Sequence, residues 1–395
     1  MNVAVIGGGI FGMASALELT LRGHKVTLFE KDSIPAQNAS STDVSKGIRR
    51  TWYGDDDKYV DLVEQAAYKW REWESSLKTR VYHQTGSYLI LESLEPGSPM
   101  HNSLKVLKSR GAELEILSAK EGKAKFPQIN TLPYEICVYD PWGGYIESSN
   151  AIIHLLSLAL EMQIDILEGH EVSAIEDLGD SASLTSGKLS LNFDRVVVAT
   201  GAWIASLLPS IGSNMRVTQQ EMLFIKTPDS DAFSRKTMPV WSVAPDGDGW
   251  YGFPILKEGY TKLAREPLGE IVEPNVERSG TNDFKSQAID FMTARIPGMA
   301  EGEIVGGRKC LYTNTPDDHF AIDWVPGSQT MIVAGGGSGH GFKFGGVIGD
   351  LVADVLEEKD QPKLDLFRIG QRFSSDQIYR PENKTRGFAT ERNKN

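Results

Sequence analysis

The sequence has few cysteines, no long apolar run and no excess of basic charge, and each shortage excludes a class of protein. Two cysteines in 395 residues, Cys137 and Cys310, without metal-type spacing, argue against a disulfide framework and against a metal site. No apolar run reaches the ~18 residues that a membrane-spanning helix requires. The net charge of −12, from 41 basic and 53 acidic residues, argues against nucleic acids and anionic membranes as partners.

The rest of the composition is that of an ordinary globular protein. The chain is longer than the ~250–300 residues at which single cores stop growing, so we expect two domains. The first predicted strand begins at residue 2 and leaves no room for a signal peptide before it. We therefore expect a cytoplasmic location.

The first thirty residues predict a strand, a glycine turn, a helix and a second strand. In the pattern G-x-G-x-x-G, Gly7 makes the tight turn, Gly9 lets the backbone approach a pyrophosphate and Gly12 lets the helix pack on the strand. The helix then directs its free N–H groups at the phosphates. Glu30 ends the second strand, where a carboxylate accepts both ribose hydroxyls and repels a 2′-phosphate. FAD or NAD therefore fits and NADP does not; an ordinary glycine-rich loop is the alternative.

Two later glycine turns follow strands of the buried type. Residues 195–199 lead into Thr200 and Gly201, a turn that resembles the second signature of FAD-binding oxidoreductases with two dinucleotide-binding folds. This resemblance moves the choice of cofactor to FAD. Residues 331–334 lead into the glycine-dense turn 335–341, whose N–H groups can face the pyrimidine edge of a flavin.

The stretch 38–54 is rich in Ser, Thr and Gly, and it carries a basic cluster of Lys46, Arg49 and Arg50. Its lack of helical apolar spacing predicts a loop that crosses the flavin ring, although the residues alone favour a solvated loop. An amphipathic helix is predicted over 57–77. Strands are predicted at 87–91 and 136–139. A second sheet that covers the flavin is predicted from strands at 217–226, 250–253 and 262–264, with a helix at 282–294.

Taken together, these motifs resemble the monomeric sarcosine oxidase family of flavoprotein amine oxidases. This family includes N-methyltryptophan oxidase, pipecolate oxidase and the fructosyl-amino-acid oxidases, or amadoriases. Five motifs carry the resemblance in the same order along nearly the whole chain: 7–12, 46–49, 251–254 with Lys262 eight residues on, 310–313 and 338–343.

The resemblance implies an α/β fold, α+β overall. It combines a Rossmann-like FAD-binding domain of the two-dinucleotide-binding type with a substrate domain built on a mixed or antiparallel sheet. We expect the FAD-binding domain to comprise 1–82, 146–214 and 305–374, and the substrate domain 83–145 and 215–304. The polar, basic tail 375–395 has a composition typical of disorder.

The resemblance also implies how FAD is held. Cys310 corresponds to the cysteine that bonds through sulfur to the 8α-methyl group of FAD, and Tyr312 and Thr313 lie near substrate and flavin. Cys137 is instead interpreted as a small buried hydrophobic residue. The complete set of expected cofactor-binding residues is Gly7, Gly9, Ile10, Phe11, Gly12, Glu30, Lys31, Ser41, Thr42, Lys46, Val172, Thr200, Gly201, Trp203, Cys310, Gly339, Gly341 and Lys343.

Substrate binding is implied for Arg49 and Lys343, which correspond to the pair that grips the substrate carboxylate. A planar guanidinium and an ammonium group can together orient one carboxylate in a pocket that excludes water. Tyr251 corresponds to a pocket wall that donates a hydrogen bond, and Tyr312 is expected to contact the substrate. Lys262 resembles the lysine that acts on oxygen, because a cation beside flavin N5 stabilises a developing superoxide.

Two residues depart from the sarcosine oxidase pattern. Lys46 stands where sarcosine oxidases have an arginine, and Glu266 stands where they have a histidine, four residues beyond the oxygen lysine. Both replacements resemble the amadoriases, in which the carboxylate holds the sugar or the amine. We therefore count Lys46 and Glu266 with Lys262 and Tyr251 as catalytic candidates. A surface acid paired with Arg265 is the alternative for Glu266.

The sequence therefore predicts an FAD-dependent oxidase of a secondary amine on an N-substituted amino acid, of the fructosyl or the N-methyl type. It would produce an imine and reduce O₂ to hydrogen peroxide. Its expected partners are this small-molecule amine and O₂. One alternative is a dehydrogenase that passes electrons to an acceptor other than oxygen. Another is a flavin-binding module without catalytic activity.

Overall fold

The computed structural model describes residues 1–244, 249–266, 269–275, 277–278, 281–359 and 361–373. The tail predicted at 375–395 lies outside these residues. Within the described ranges, no helix is both long and apolar enough to cross a membrane.

The described chain combines strands with helices. In chain order the strands are β1 (Asn2–Ile6), β2 (Lys25–Phe29), β3 (Lys46–Ile48), β4 (Tyr82–His83), β5 (Ser87–Leu91), β6 (Glu115–Ser118), β7 (Ile136–Asp140), β8 (Gly144–Ile146), β9 (Asp165–Leu167), β10 (Val172–Asp177), β11 (Ala182–Ser186), β12 (Leu189–Phe193), β13 (Arg195–Val198), β14 (Arg216–Lys226), β15 (Val240–Ala244), β16 (Trp250–Gly252), β17 (Thr261–Arg265), β18 (Glu303–Asn314), β19 (Ala321–Trp324) and β20 (Met331–Gly335).

The α-helices are α1 (Ile10–Leu21), α2 (Asp57–Leu77), α3 (Pro99–Ser109), α4 (Ala119–Lys125), α5 (Ser148–Glu161), α6 (Ile204–Leu207), α7 (Pro209–Gly212), α8 (Asn282–Arg295), α9 (Pro297–Ala300) and α10 (Gly345–Leu356). Short 3-10 helices occupy Gly201–Trp203, Gly341–Phe344, Pro362–Leu366 and Gly370–Phe373.

A six-stranded sheet forms the Rossmann-like part that the sequence predicts. Its order is β19-β20-β13-β1-β2-β9; the neighbours from β20 to β9 run parallel and β19 is antiparallel. Helix α1 packs against α5 and α10 beside this sheet. The carboxyl ends of parallel strands are where such folds bind ligands. Gly7, Glu30 and Thr200 follow β1, β2 and β13 at that edge.

An eight-stranded sheet forms the second layer, in the order β18-β14-β17-β16-β15-β5-β7-β6. Its neighbours are antiparallel except β15 and β5, so the prediction of a mixed or antiparallel sheet is confirmed. Tyr251 pairs with Ala264, two residues beyond Lys262. Because side chains alternate along a strand, Tyr251 and Lys262 project from the same face.

A small sheet of β3, β8 and β4 shows that the loop predicted over 38–54 is wrong at its centre. Lys46–Ile48 forms β3 and pairs antiparallel with β8, Lys46 lying opposite Ile146. The partner strand is almost a hundred residues away, so a polar local composition did not reveal this pairing. Arg49 directly follows β3, so strand pairing holds the backbone just before it.

The division into domains stays a prediction, and the sheets show where its boundaries would fall. The eight-stranded sheet takes strands from both segments assigned to the substrate domain. It also includes β18, most of which the predicted boundary at 304/305 assigns to the FAD-binding domain. This long strand lies at one edge of the sheet, and its Thr313 lines the cavity described next.

Candidate active site

A cavity of about 260 Å³ lies where the two large sheets meet. One side is lined by residues that follow strands of the six-stranded sheet, including Gly7, Glu30 and Thr200. The opposite side is lined by Tyr251 and Lys262 from the eight-stranded sheet. Residues distant in sequence thus line one cavity between a dinucleotide-type turn and a polar sheet face.

The turn after β1 has the geometry that the glycine pattern predicts. Gly7 has φ +109°, and a Cβ there would lie 2.6 Å from the Ala199 carbonyl oxygen. A Cβ on Gly12 would lie 1.8 Å from the Gly7 carbonyl oxygen, so α1 could not pack this closely against the turn. Gly12 has the packing role expected of it, and it does not line the cavity.

Glu30 supports the turn as well as facing the cavity. Its carboxylate is 7% exposed and accepts hydrogen bonds from the backbone N–H groups of Gly8 (2.8 Å) and Asp32 (3.0 Å). Ser41 Oγ accepts from the N–H of Ile10, the first residue of α1, at 2.9 Å. Backbone donors and hydroxyl groups therefore converge at the end of the cavity where α1 begins.

The lining fits a dinucleotide cofactor such as FAD. The hydroxyl groups of Ser45, Thr51 and Thr200 are buried, line the cavity and have no hydrogen-bond partner within the described ranges. Buried polar groups in proteins are nearly always paired, so these atoms are suited to a bound molecule. The backbone turn 335–341 forms another wall. The N–H groups of Ser338, His340 and Gly341 are donated to protein carbonyl oxygens, so the expected donation from this turn to a flavin stays a prediction.

Most of the predicted cofactor residues line the cavity. They are Gly7, Gly9, Ile10, Phe11, Glu30, Lys31, Ser41, Lys46, Val172, Thr200, Gly201, Trp203, Gly339, Gly341 and Lys343. Gly12, Thr42 and Cys310 are not among the lining residues. The Thr42 hydroxyl instead donates to the Ala36 carbonyl oxygen at 2.6 Å, which closes a turn of the chain. Which of these residues contact the cofactor stays a prediction.

Cys310 lies just behind the cavity wall. It is 1% exposed, and its Sγ is 3.8 Å from Lys46 Nζ and 3.7 Å from the Ser40 carbonyl oxygen. Ser40 and Lys46 both line the cavity, so these two residues lie between the sulfur and the cavity. The second cysteine, Cys137, is fully buried between β5 and β6, away from the cavity.

Lys262 and Lys46 share one buried carboxylate, that of Asp43. Asp43 Oδ2 accepts from Lys262 Nζ at 2.5 Å and from Lys46 Nζ at 2.9 Å, and Lys262 also donates to the Ser45 carbonyl oxygen at 2.8 Å. Burial lowers the Lys262 pKa to about 8, although Asp43 opposes this change. Burial acts against the charge on Asp43, but the two lysines hold the pKa of its carboxyl well below the usual range.

Arg49 and Glu266 form an ion pair in the cavity wall, with 3.6 Å between Arg49 Nη2 and Glu266 Oε2. Both side chains are less than one-fifth exposed and both residues line the cavity. The indole ring of Trp52 lies beside the guanidinium, 5.3 Å from its Cζ to the ring centroid. The cavity therefore presents a positive and a negative group next to each other.

Lys343 and two tyrosines complete the polar lining. Lys343 is buried, and its Nζ donates to the His340 carbonyl oxygen at 3.3 Å. The hydroxyl groups of Tyr251 and Tyr312 are 3.5 Å apart. Burial raises the pKa of both phenols, so both stay neutral at physiological pH. Each can still donate or accept a hydrogen bond.

Sequence reasoning missed Asp43 and Trp52. Asp43 precedes Lys46 by three residues, which is a weak hint, but nothing in the sequence connects it with Lys262, more than two hundred residues later. Trp52 has φ +84°, which is unusual for a bulky residue, and its buried indole N–H has no partner among the described residues. A strained aromatic residue in a cavity wall is a common feature of functional sites.

Comparison with known proteins adds the family. A family described as FAD dependent oxidoreductase matches residues 2–355. The chain belongs to this family. Its cofactor is therefore FAD, in agreement with the fit of the cavity lining.

Two curated relatives are similar over nearly their whole length. Monomeric sarcosine oxidase from Bacillus sp. (strain B-0618) is 26% identical over 376 residues, which are 94% of this chain and 96% of that protein. N-methyl-L-tryptophan oxidase from Salmonella arizonae is 27% identical over 380 residues, with 94% and 99% coverage. These relatives bear out the resemblance inferred from the motifs.

Solved structures confirm the fold. NikD, described as an unusual amino acid oxidase, superposes with a TM-score of 0.80 at 20% identity and covers 93% of this chain and 96% of its own. The fructosamine oxidase amadoriase II from Aspergillus fumigatus has a TM-score of 0.80 at 19% identity, covering 97% and 94%.

Proposed function

We propose that the protein is an FAD-dependent oxidase of a secondary amine on an N-substituted amino acid. The product would be an imine, which water hydrolyses, and O₂ would be reduced to hydrogen peroxide. The observation that carries the proposal is one cavity that contains the dinucleotide turn, the Arg49–Glu266 pair and the buried Lys262. The two named relatives, which by name act on N-methylated amino acids, support the same class of substrate.

The charges of the cavity match such a substrate. An N-substituted amino acid carries a carboxylate and a secondary ammonium separated by one carbon atom. Arg49 and Lys343 offer donors to the carboxylate, and Glu266, next to Arg49, offers an acceptor to the ammonium or to hydroxyl groups of its substituent. A molecule with both charges, so arranged, can pair with every one of these groups.

The two tyrosines would orient the reacting bond. Because burial keeps Tyr251 and Tyr312 neutral, neither places a charge beside the amine. Their hydroxyl groups, 3.5 Å apart, can direct hydrogen bonds at one substrate atom from the same sheet face. Fixing the substrate in this way converts binding energy into the correct approach of the C–N bond.

FAD, when bound, supplies the acceptor for the two electrons that leave the C–N bond. The residues that would hold it are those of the Gly7 turn, Thr200 and the 335–341 turn. Lys262 would act in the second half of the reaction. Its ammonium group, fixed by Asp43 and Ser45, places positive charge in the cavity where oxygen gains its first electron.

We further propose that FAD is attached covalently through Cys310. The sulfur lies behind Ser40 and Lys46, which line the cavity, and Lys46 Nζ is 3.8 Å from it. The attachment would join Sγ to the 8α-methyl carbon of FAD, with loss of the thiol hydrogen and of one methyl hydrogen; the two electrons released would reduce the flavin, and O₂ would then reoxidise it.

We expect the N-substituent to be larger or more polar than a methyl group. Glu266 and Lys46 replace the histidine and arginine of the sarcosine oxidase pattern. The carboxylate of Glu266 lies in the cavity wall and can accept hydrogen bonds from a polyhydroxy substituent. Fructosyl amino acids have such a substituent, and sarcosine does not.

A substrate screen tests the proposal. The holoenzyme is mixed anaerobically with sarcosine, N-methyltryptophan, pipecolate, proline and fructosyl-glycine, and bleaching of the flavin is recorded. Peroxide is then measured in air. If the protein is an oxidase, at least one of these amines bleaches the flavin, and in air the amount of peroxide equals the amount of amine oxidised. Bleaching without peroxide would identify a dehydrogenase instead, and bleaching by none of the five would contradict the proposed substrate class.

A further inference from the structure

Asp43 is the most deeply buried acid of the cavity region, and its surroundings fix it firmly. Its side chain has no exposed surface, and its Oδ1 accepts from the Val44 backbone N–H at 2.7 Å. Its carbonyl oxygen accepts from the hydroxyl groups of Ser148 and Ser149, each at 2.7 Å, and from the Ser149 N–H at 2.9 Å. The start of α5 therefore anchors the Asp43 backbone, while Oδ2 remains for the lysines.

Two ammonium groups meet at this single oxygen. Lys262 comes from β17 of the eight-stranded sheet and Lys46 from β3 of the small sheet. Without a carboxylate between them, two buried cations at this separation would repel each other and one would lose its proton. Asp43 therefore links the eight-stranded sheet to the small sheet, because its Oδ2 binds one lysine from each.

Other titratable groups around Lys262 do not replace Asp43. Cys310 and Tyr312 face the site from β18 and Tyr251 faces it from β16, and burial keeps both tyrosines neutral. Glu258, in the turn before β17, feels the Asp43 charge, and burial raises its own pKa. Among the described groups that hydrogen-bond to the Lys262 ammonium, Asp43 is the one that carries a negative charge.

We propose that Asp43 is a positioning residue for the oxygen reaction, because its carboxylate holds Lys262 in the cavity wall and keeps it protonated beside Lys46. This inference rests on the proposed oxidase function, in which Lys262 acts on oxygen. It adds a third group to the two lysines and assigns the site one net positive charge. That charge favours an anion that forms in the cavity, and the paired carboxylate makes the burial of two cations tolerable.

The decisive measurement is the Lys262 pKa, which does not depend on oxidase activity. Holoenzyme labelled with ¹³C at lysine Cε is titrated by NMR, and the Lys262 signal is assigned by its loss in Lys262→Met. In Asp43→Asn, which keeps the shape and removes the charge, we expect a Lys262 pKa about 1–3 units below the wild-type value. In this variant, reoxidation of the reduced enzyme should slow at a lower pH than in the wild type, because Lys262 loses its proton there.

Two further variants keep the test sharp. Asp140→Asn is the matched control, since the Asp140 side chain also has no exposed surface and pairs with Arg50 instead of a cavity lysine. It should lower the melting temperature and leave the Lys262 pKa unchanged. Lys46→Met removes the competing cation and should raise the Lys262 pKa, which tests the same coupling even if Asp43→Asn does not fold.

The outcomes separate this inference from the proposed function. An unchanged Lys262 pKa in Asp43→Asn overturns the inference, even if Lys262 acts on oxygen. So does an unchanged pKa in Lys46→Met. An unchanged reoxidation rate in Lys262→Met overturns the oxygen role, whatever Asp43 does to the lysine pKa.

Discussion

Substitution of Lys262 by methionine tests the oxidase assignment most directly. The wild-type site holds two ammonium groups and one carboxylate, hence one net positive charge. Lys262→Met leaves Lys46 and Asp43 as a neutral pair, so the charge that favours an oxygen anion disappears although one lysine remains. Met has nearly the same length and fits beside the Phe253 ring, which lies 5.0 Å from the Lys262 nitrogen.

The expected magnitude follows from this loss of a fixed charge. Removing one preorganised group that stabilises a developing anion costs about 10²–10³ in rate, or about 2.7–4 kcal/mol. Oxygen is neutral until the first electron arrives, so the penalty falls on reoxidation. Oxidation of the amine develops no comparable anion beside Lys262, and its rate should change much less.

Stopped-flow kinetics separates the two half-reactions. Anaerobic mixing with substrate gives the rate of flavin reduction, and mixing the reduced enzyme with oxygen gives the rate of reoxidation. In the wild type, reoxidation should slow as the pH rises through about 8, because the Lys262 pKa lies there and the protonated form is the active one. In Lys262→Met the rate should be low and independent of pH across this range.

Two results would refute this reasoning. Unchanged reoxidation in Lys262→Met would mean that the lysine has no role in the reaction with oxygen. A reduction rate that falls as far as the reoxidation rate would make Lys262 a substrate-binding residue. The oxidase assignment would then lose its main support among individual residues.

Three further substitutions test the remaining assignments. Cys310→Ala should release FAD into the supernatant on acid precipitation, whereas Cys137→Ala, the buried control, should keep it; free FAD from the wild type would contradict covalent attachment. Arg49→Ala and Lys343→Ala should each weaken simple carboxylate inhibitors tenfold or more, since a hydrogen bond to a charged group contributes about 1.5–3 kcal/mol; wild-type inhibition constants in both would disprove the carboxylate site. Glu266→Gln should raise KM for fructosyl-glycine more than for sarcosine, and an equal change for both would argue against contact with the substituent.

Long amphipathic elements and the first βαβ unit could be predicted from the sequence. The helix over 57–77 matches α2 at both ends, and it buries Trp70 and Trp73 along one face as its spacing requires. The strand over 87–91 matches β5 at both ends. In these segments, the local pattern and the tertiary environment favour the same structure, so local reasoning is sufficient.

Elements defined by distant partners could not be predicted in this way. β3 has three residues in a polar stretch and exists because β8 pairs with it. β15 was also missed; its partner β5 is parallel and comes from a segment about 150 residues earlier. Parallel and long-range pairings leave no local signature beyond a short apolar run. The walls of the cavity depend on such pairings.

The candidate site likewise combines features that local patterns predict with features that depend on distant partners. Lys46, Lys262, Arg49 and Glu266 could be assigned from motifs, because each lies in a segment that resembles a known family. The motifs assign these residues separate roles. They do not reveal that Asp43 joins the two lysines, since that contact requires β3 and β17 to meet at one wall. The electrostatics of the site depend on the joined unit. Two independent buried lysines would compete for protonation, whereas two lysines that share a carboxylate can both stay charged and leave one positive charge for the oxygen reaction.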